Sequence, residues 1–106
     1  MNLRQIHHVA IIVSDYKKSR KFYVETLGFQ IIRENYRPSR GDYKLDLKLE
    51  GCELELFSAS GNPPRPSYPE ACGLRHLAFR VDDVDAAIAE LREKGIETEP
   101  VRVDEF

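Results

Sequence analysis

The stretch "H-H-V-A-I-I-V-S-D", residues 7–15, decides how this chain is read, because its period changes in the middle. From Ile6 to Val13 the residues are apolar and rich in β-branched types, which predicts a strand covered on at least one face. Ser14 and Asp15 are helix N-cap types, and Ser19, Phe22, Tyr23, Thr26 and Leu27 follow at helical spacing up to Gly28, a residue suited to a left-handed helix end. Three further strand-like runs come next, at 29–36, 43–49 and 52–58. In the second of these Leu45, Leu47 and Leu49 alternate with Lys44, Asp46 and Lys48, and the chain is expected to turn at Glu50 and Gly51. The first sixty residues therefore predict a β-α-β-β-β unit, module one, over residues 4–60.

The opening pattern then returns. "R-H-L-A-F-R-V-D-D", residues 75–83, superimposes on the first stretch with a shift of 68, matching His8 with His76, Ala10 with Ala78, Val13 with Val81 and Asp15 with Asp83. Asp83 stands as a cap before Val84, Ala87, Ile88 and Leu91, and Gly95 closes the segment one residue out of step with Gly28. This self-similarity predicts a tandem duplication, with a second module over residues 74–106 that begins with a strand at His76. Between the copies lies a connector, residues 61–73, containing Pro63, Pro64, Pro66 and Pro69, four of the six prolines, which can extend neither a helix nor a central strand. A counterpart of Glu55 would fall near residue 123, past Phe106, so the second module is expected to lack its last strands.

Composition narrows the function classes. With 106 residues, 42% of them apolar and 32% charged, the chain suits one domain with a modest core. A formal net charge of −2 gives no polybasic surface, so small molecules or proteins are expected as partners rather than nucleic acid. No apolar run approaches the roughly 20 residues of a membrane span and no signal-peptide layout opens the chain, so a cytoplasmic protein is expected, with no membrane partner. Cys52 and Cys72 are expected as free thiols.

Side chains alternate across a strand, so His8 shares a face with Ala10 and Ile12 while Val9, Ile11 and Val13 face the helix. The repeat predicts the same placement for His76. If Leu54 and Leu56 pack under the helix, Glu53 and Glu55 join the histidines' side. Two histidines and a carboxylate on one surface form a plausible divalent-metal set, since imidazole nitrogen and carboxylate oxygen suit zinc, nickel, manganese and iron. His7 lies on the opposite face and is read as structural; Tyr23, Tyr36, Tyr43 and Tyr68 are read either as pocket lining or as core.

"I-H-H-V-A-I-I-V-S-D-Y-K-K-S-R-K-F-Y-V-E-T-L-G-F", "E-L-E-L-F" and "L-R-H-L-A-F-R-V-D-D-V-D-A-A-I-A-E-L-R-E-K-G-I" resemble the vicinal oxygen chelate superfamily, in particular its glyoxalase I-like members, alongside bleomycin resistance proteins and dioxygenases. The resemblance implies an α+β fold in which tandem βαβββ modules form a cupped mixed sheet. It also implies a divalent metal (zinc, nickel, manganese or cobalt, iron being less suited) held by His8, Glu55 and His76, with Glu53 as a neighbour. The family's fourth ligand, a glutamate of the last strand, has no counterpart among these residues. The implied activity is that of a lactoylglutathione lyase-like enzyme, in which the metal chelates adjacent oxygens of a hemithioacetal and stabilises an enediolate while a carboxylate, here Glu55, moves the proton. Two departures count against glutathione: Ile12 stands where family enzymes place a carboxylate-binding arginine, and "F-S-A-S" replaces an asparagine used for the same thiol. Arg80 takes the place of that arginine in the second copy, either as a partner for an acidic substrate group or as a solvated side chain.

Alternative functions are a metal-free antibiotic-binding module of the same superfamily, an acyl-CoA epimerase, and an Fe(II) dioxygenase, since two histidines and one carboxylate also match the facial triad. An incomplete second module leaves sheet edges to be covered, so the resemblance further implies a homodimer with its site at the subunit junction.

Overall fold

A computed structural model describes residues 1–105; Phe106, the last residue of the expected second module, lies outside the described residues. The chain is α+β and divides into two units, one spanning Met1–Arg65 and the other beginning at Pro66, so the division falls inside the proline-rich connector.

The first unit is the expected β-α-β-β-β arrangement. Strand β1 covers His8–Ile12, helix α1 Tyr16–Arg20, and β2, β3 and β4 cover Gln30–Arg37, Asp42–Leu49 and Cys52–Ala59. They form a four-stranded open mixed sheet in the order β1-β4-β3-β2, with β1 parallel to β4 and the other pairs antiparallel. Register places Val9 beside Leu54, Ile11 beside Leu56, Leu56 beside Leu45 and Leu54 beside Leu47. Leu45, Leu47, Leu54 and Leu56 are completely buried, and Tyr16, Tyr23 and Val24 pack against them. The helical segment thus covers the branched face, as the alternation predicts.

The helix departs from a plain α-helix in one respect. After α1 the chain continues as a π turn, Lys21–Thr26, and the Leu27 N–H donates five residues back, to the Phe22 carbonyl at 2.9 Å. A π turn accommodates one extra residue in a helix. This accounts for the residue by which Gly28 and Gly95 are out of step.

Strand β2 holds a second irregularity, a register shift between Ile31 and Arg33. Ile31 pairs with Leu47 on the helix side, whereas Arg33 pairs with Asp46 on the other face, so Ile32 is the extra residue of a bulge that inverts the strand's alternation. The inversion also turns Glu34 toward the helix. There its carboxylate accepts from Arg20 Nε at 2.7 Å and Nη2 at 3.1 Å, and from the Tyr16 hydroxyl, tying the start of the helix to β2. Tyr16 in turn stacks on Tyr43 with ring centroids 4.3 Å apart. Tyr36 and Tyr43 are about half exposed and Tyr68 is fully so, which places none of these three in the core.

In the second unit the helix and its signals are present. Helix α2 spans Val84–Glu93. The two capping aspartates are nearly superimposable in conformation: Asp15 has φ −135° and ψ 107°, Asp83 φ −141° and ψ 108°, and each side chain accepts the backbone N–H three residues on at 3.0 Å. Gly28 and Gly95 both adopt φ 81°. The expected strand around His76 is the exception. Among the described residues, 74–82 pair with no ladder, because a strand exists only through a partner whereas a capped helix is closed by its own backbone.

Two outcomes test this account. Leu54→Ala removes a fully buried side chain and should destabilise the protein by roughly 2–5 kcal/mol in urea unfolding. Glu34→Gln should cost about 1 kcal/mol at neutral pH, since the pair is a third exposed. The Arg20 and Tyr16 hydrogen bonds hold the Glu34 pKa below its ordinary 4.5. A lowered folded-state value stabilises above pH 4.5 and loses that contribution as pH falls through it. The two proteins' unfolding midpoints should therefore converge in acid, and a gap that stayed constant would contradict the assignment.

Candidate metal centre

The face of the sheet turned away from the helix is polar. Its side chains come from alternate positions on all four strands: His8, Ala10 and Ile12 from β1, Glu53, Glu55 and Phe57 from β4, Lys44, Asp46 and Lys48 from β3, and Arg33 and Asn35 from β2 beyond the bulge. One row runs straight across it, through Ala10, Glu55, Asp46 and Arg33.

His8 and Glu55 are brought together. Although His8 is in register with Glu53, its Nε2 lies 3.2 Å from Glu55 Oε2, while Glu53 is 3.7 Å from Arg33 Nη2. The Glu55 side chain is largely buried and the His8 ring half exposed, so the pair has one side toward solvent. On its other nitrogen His8 meets a residue that alternation assigns to the opposite face: His7 Nδ1 is 2.9 Å from His8 Nδ1. One proton serves that contact. If His7 donates it, His8 Nε2 carries a hydrogen and donates to Glu55, as it also does when the ring is an imidazolium; if a neutral His8 donates it, Nε2 presents a lone pair beside the carboxylate, an arrangement that a cation between them would satisfy. The second tautomer is a metal ligand backed by an outer hydrogen bond. Adjacent ligand atoms around a zinc-like ion, each about 2.0–2.2 Å from it, lie roughly 3.0–3.5 Å apart, so the two donors are spaced as such an ion requires.

Glu55 is held from its far side as well. Its Oε1 accepts from Lys44 Nζ at 3.0 Å, and the same ammonium donates to Asp46 Oδ1 at 2.8 Å. Asp46 is buried, with Arg33 Nε 2.5 Å from Oδ2 in an ion pair that is not aligned as a hydrogen bond. Burial works against the Lys44 ammonium, yet its hydrogen bonds to Asp46 and Glu55 outweigh this and its pKa is raised. A chain of alternating charge, Arg33, Asp46, Lys44, Glu55 and His8, therefore crosses the face. Sequence reasoning placed Lys44 and Asp46 on the face opposite the leucines but gave them no role in the site; Arg33 was hidden by the bulge.

His76 and Arg80 lie in the second unit, both exposed. Among the described residues no three His, Cys, Asp or Glu side chains gather into one ligand group. His8 and Glu55 are the two predicted ligands that the structure brings together. Cys52 and Cys72 are free thiols, as expected. No helix among the described residues is long and apolar enough to cross a membrane.

Comparison with known proteins agrees with this architecture. The chain is 61% identical to the uncharacterized protein YwkD of Bacillus subtilis over 98% of its own length and 82% of that protein. The crystal structure of a glyoxalase family protein from Enterococcus faecalis superposes with a TM-score of 0.92 at 58% identity, covering 100% of this chain and 84% of that one. At greater distance, human mitochondrial methylmalonyl-CoA epimerase is 31% identical over 90% of this chain and 56% of that protein. A probable lactoylglutathione lyase of Synechocystis is also 31% identical, over 83% of this chain and 68% of that protein. The family model for the Glyoxalase/Bleomycin resistance protein/Dioxygenase superfamily matches residues 5–106, and the chain belongs to that superfamily.

Proposed function

We propose that the protein is a metal-dependent lyase or isomerase of the glyoxalase I type, acting on a small molecule with adjacent oxygens. The observation that carries this reading is the His8–Glu55 pair, whose donor atoms face each other 3.2 Å apart on the polar face of a glyoxalase-like sheet. His8, Glu55 and His76 would hold a divalent ion, zinc, nickel, manganese or cobalt, which supplies Lewis acidity toward the substrate oxygens. Glu55 is also the carboxylate proposed to move the substrate proton. Its Oε2 faces His8, while Oε1, engaged by Lys44, keeps a second lone pair for that proton. Arg80 is proposed to pair with an acidic group of the substrate. A small molecule is the expected partner, in the cytoplasm.

A second reading, acyl-CoA epimerase, is favoured by the methylmalonyl-CoA epimerase relatives at 30–31% identity over 89–90% of this chain. Epimerisation beside a thioester carbonyl and hemithioacetal isomerisation both begin by removing a proton next to an oxygen-bearing carbon. One site chemistry serves either.

We further propose a homodimer. β1 is an edge strand of the first unit's sheet, and an open edge needs covering. Leu77, Phe79 and Val81 of the second motif copy are substantially exposed. A two-fold assembly is one way for the two copies of the motif to share a site.

The test is metal content of protein purified without chelator, measured beside His8→Ala, Glu55→Ala and His76→Ala. Near-stoichiometric metal that falls at least tenfold in each variant supports the centre. Hemithioacetal consumption across a panel of thiols, against solvent deuterium uptake into an acyl-CoA, then separates lyase from epimerase. Protein that takes up no metal after reconstitution would instead point to a binding module of the bleomycin-resistance kind, and tight iron with oxygen consumption to a dioxygenase. Light scattering should give twice the monomer mass.

A further inference from the structure

We infer that Lys44 is the positioning residue of the metal centre, fixing Glu55 so that one carboxylate oxygen alone is presented toward His8. The inference rests on the proposed metal site and adds to it a residue for which the sequence alone suggested no role.

Three observations carry it. First, the two oxygens of Glu55 have different partners: Oε1 lies 3.0 Å from Lys44 Nζ and Oε2 lies 3.2 Å from His8 Nε2. A carboxylate free to rotate can offer both oxygens to a cation; one with its far oxygen in a charge-assisted hydrogen bond is held to a single orientation. Second, Lys44 is itself held. Its ammonium donates to Asp46 at 2.8 Å and lies 5.7 Å from the centroid of the Phe57 ring, and three quarters of its side chain is covered. A lysine on a flexible four-carbon stem is thereby given one place to be. Third, Asp46 is 1% exposed and takes Arg33 on its remaining oxygen. Burying a carboxylate is costly unless it is paired, and here a cation stands on each side of it. The arrangement contributes nothing to the leucine core on the opposite face. What it does is hold Lys44 against Glu55.

Charge alone predicts the opposite effect of removing Lys44. An ammonium 3.0 Å from a ligand carboxylate repels a divalent cation, so a neutral residue at position 44 should tighten metal binding if repulsion were its main influence. If orientation is its main influence, binding should weaken by roughly 10–100-fold, as for other groups that support a ligand from behind. The sign of the change decides.

The experiment is titration of the full chain with Co²⁺ in competition with a chelator, recording the visible absorption of the bound ion, for the intact protein, Lys44→Met and Lys44→Met/Asp46→Asn. The double variant is included because Lys44→Met alone leaves Asp46 buried beside one cation; circular dichroism checks that both fold. We expect Co²⁺ to bind 10–100-fold more weakly in both variants, with an altered absorption band from a reoriented Glu55. Unchanged or tighter binding in a folded variant would overturn the role of Lys44 while leaving the centre standing. Failure of the intact protein to bind Co²⁺ would overturn the centre, and the role of Lys44 with it.

Discussion

Four leucines set the geometry on which everything else rests. Leu45 pairs with Leu56 and Leu47 with Leu54 across the β3–β4 ladder, and all four are completely buried. Because side chains alternate, sliding that ladder by one residue would turn this quartet to the polar face and bring Lys44, Asp46 and Glu55 beneath the helix. At roughly 1.5–3 kcal/mol for each buried leucine, the alternative register is far out of reach. Burial on one face therefore fixes the meeting of His8 with Glu55 on the other, although no leucine touches either.

The polar face is organised by a different rule. Along the chain of contacts from Arg33 through Asp46, Lys44 and Glu55 to His8 the sign alternates, so that Lys44 lies between two acids, and Asp46, the most enclosed, has a cation at each oxygen. Such a face is close to neutral in sum and strongly structured in detail. It orients donors while offering little net attraction to a distant charged ligand, which suits a site that binds through directed contacts at short range. The Arg33 end of the row reaches this face through the bulge at Ile32, a departure from regular pairing of the kind that re-aims a side chain beside a site.

The alternation and the capping chemistry were legible in the sequence, and they carried the strand limits, the leucine face, and the placing of His8, Glu53 and Glu55 on one face; the choice of Glu55 over Glu53 as the partner of His8 came from the family resemblance. Three features were not. The bulge at Ile32 falls in "Q-I-I-R-E-N", where two isoleucines in succession leave the extra residue unmarked. The π turn gives no local signal and shows only as the one-residue mismatch between the glycines. Asp46 and Lys44 look like any solvated pair, because what distinguishes them is their neighbours on β2 and β4, which sequence order does not display.

The contrast between the two motif copies shows where local information stops. Asp15 and Asp83 cap in the same way, and Gly28 and Gly95 turn at the same φ, since a cap and a helix end involve backbone groups within a few residues of each other. His8–Ile12 is a strand because β4 supplies its partner; residues 74–82 have nearly the same pattern and pair with no strand among the described residues. A strand's backbone groups are satisfied through its ladder, so the same apolar pattern that makes a strand beside β4 makes none where no ladder is at hand. Pairing with β4 is what gives His8 its position on the polar face, and a pattern read along the chain cannot supply such a partner.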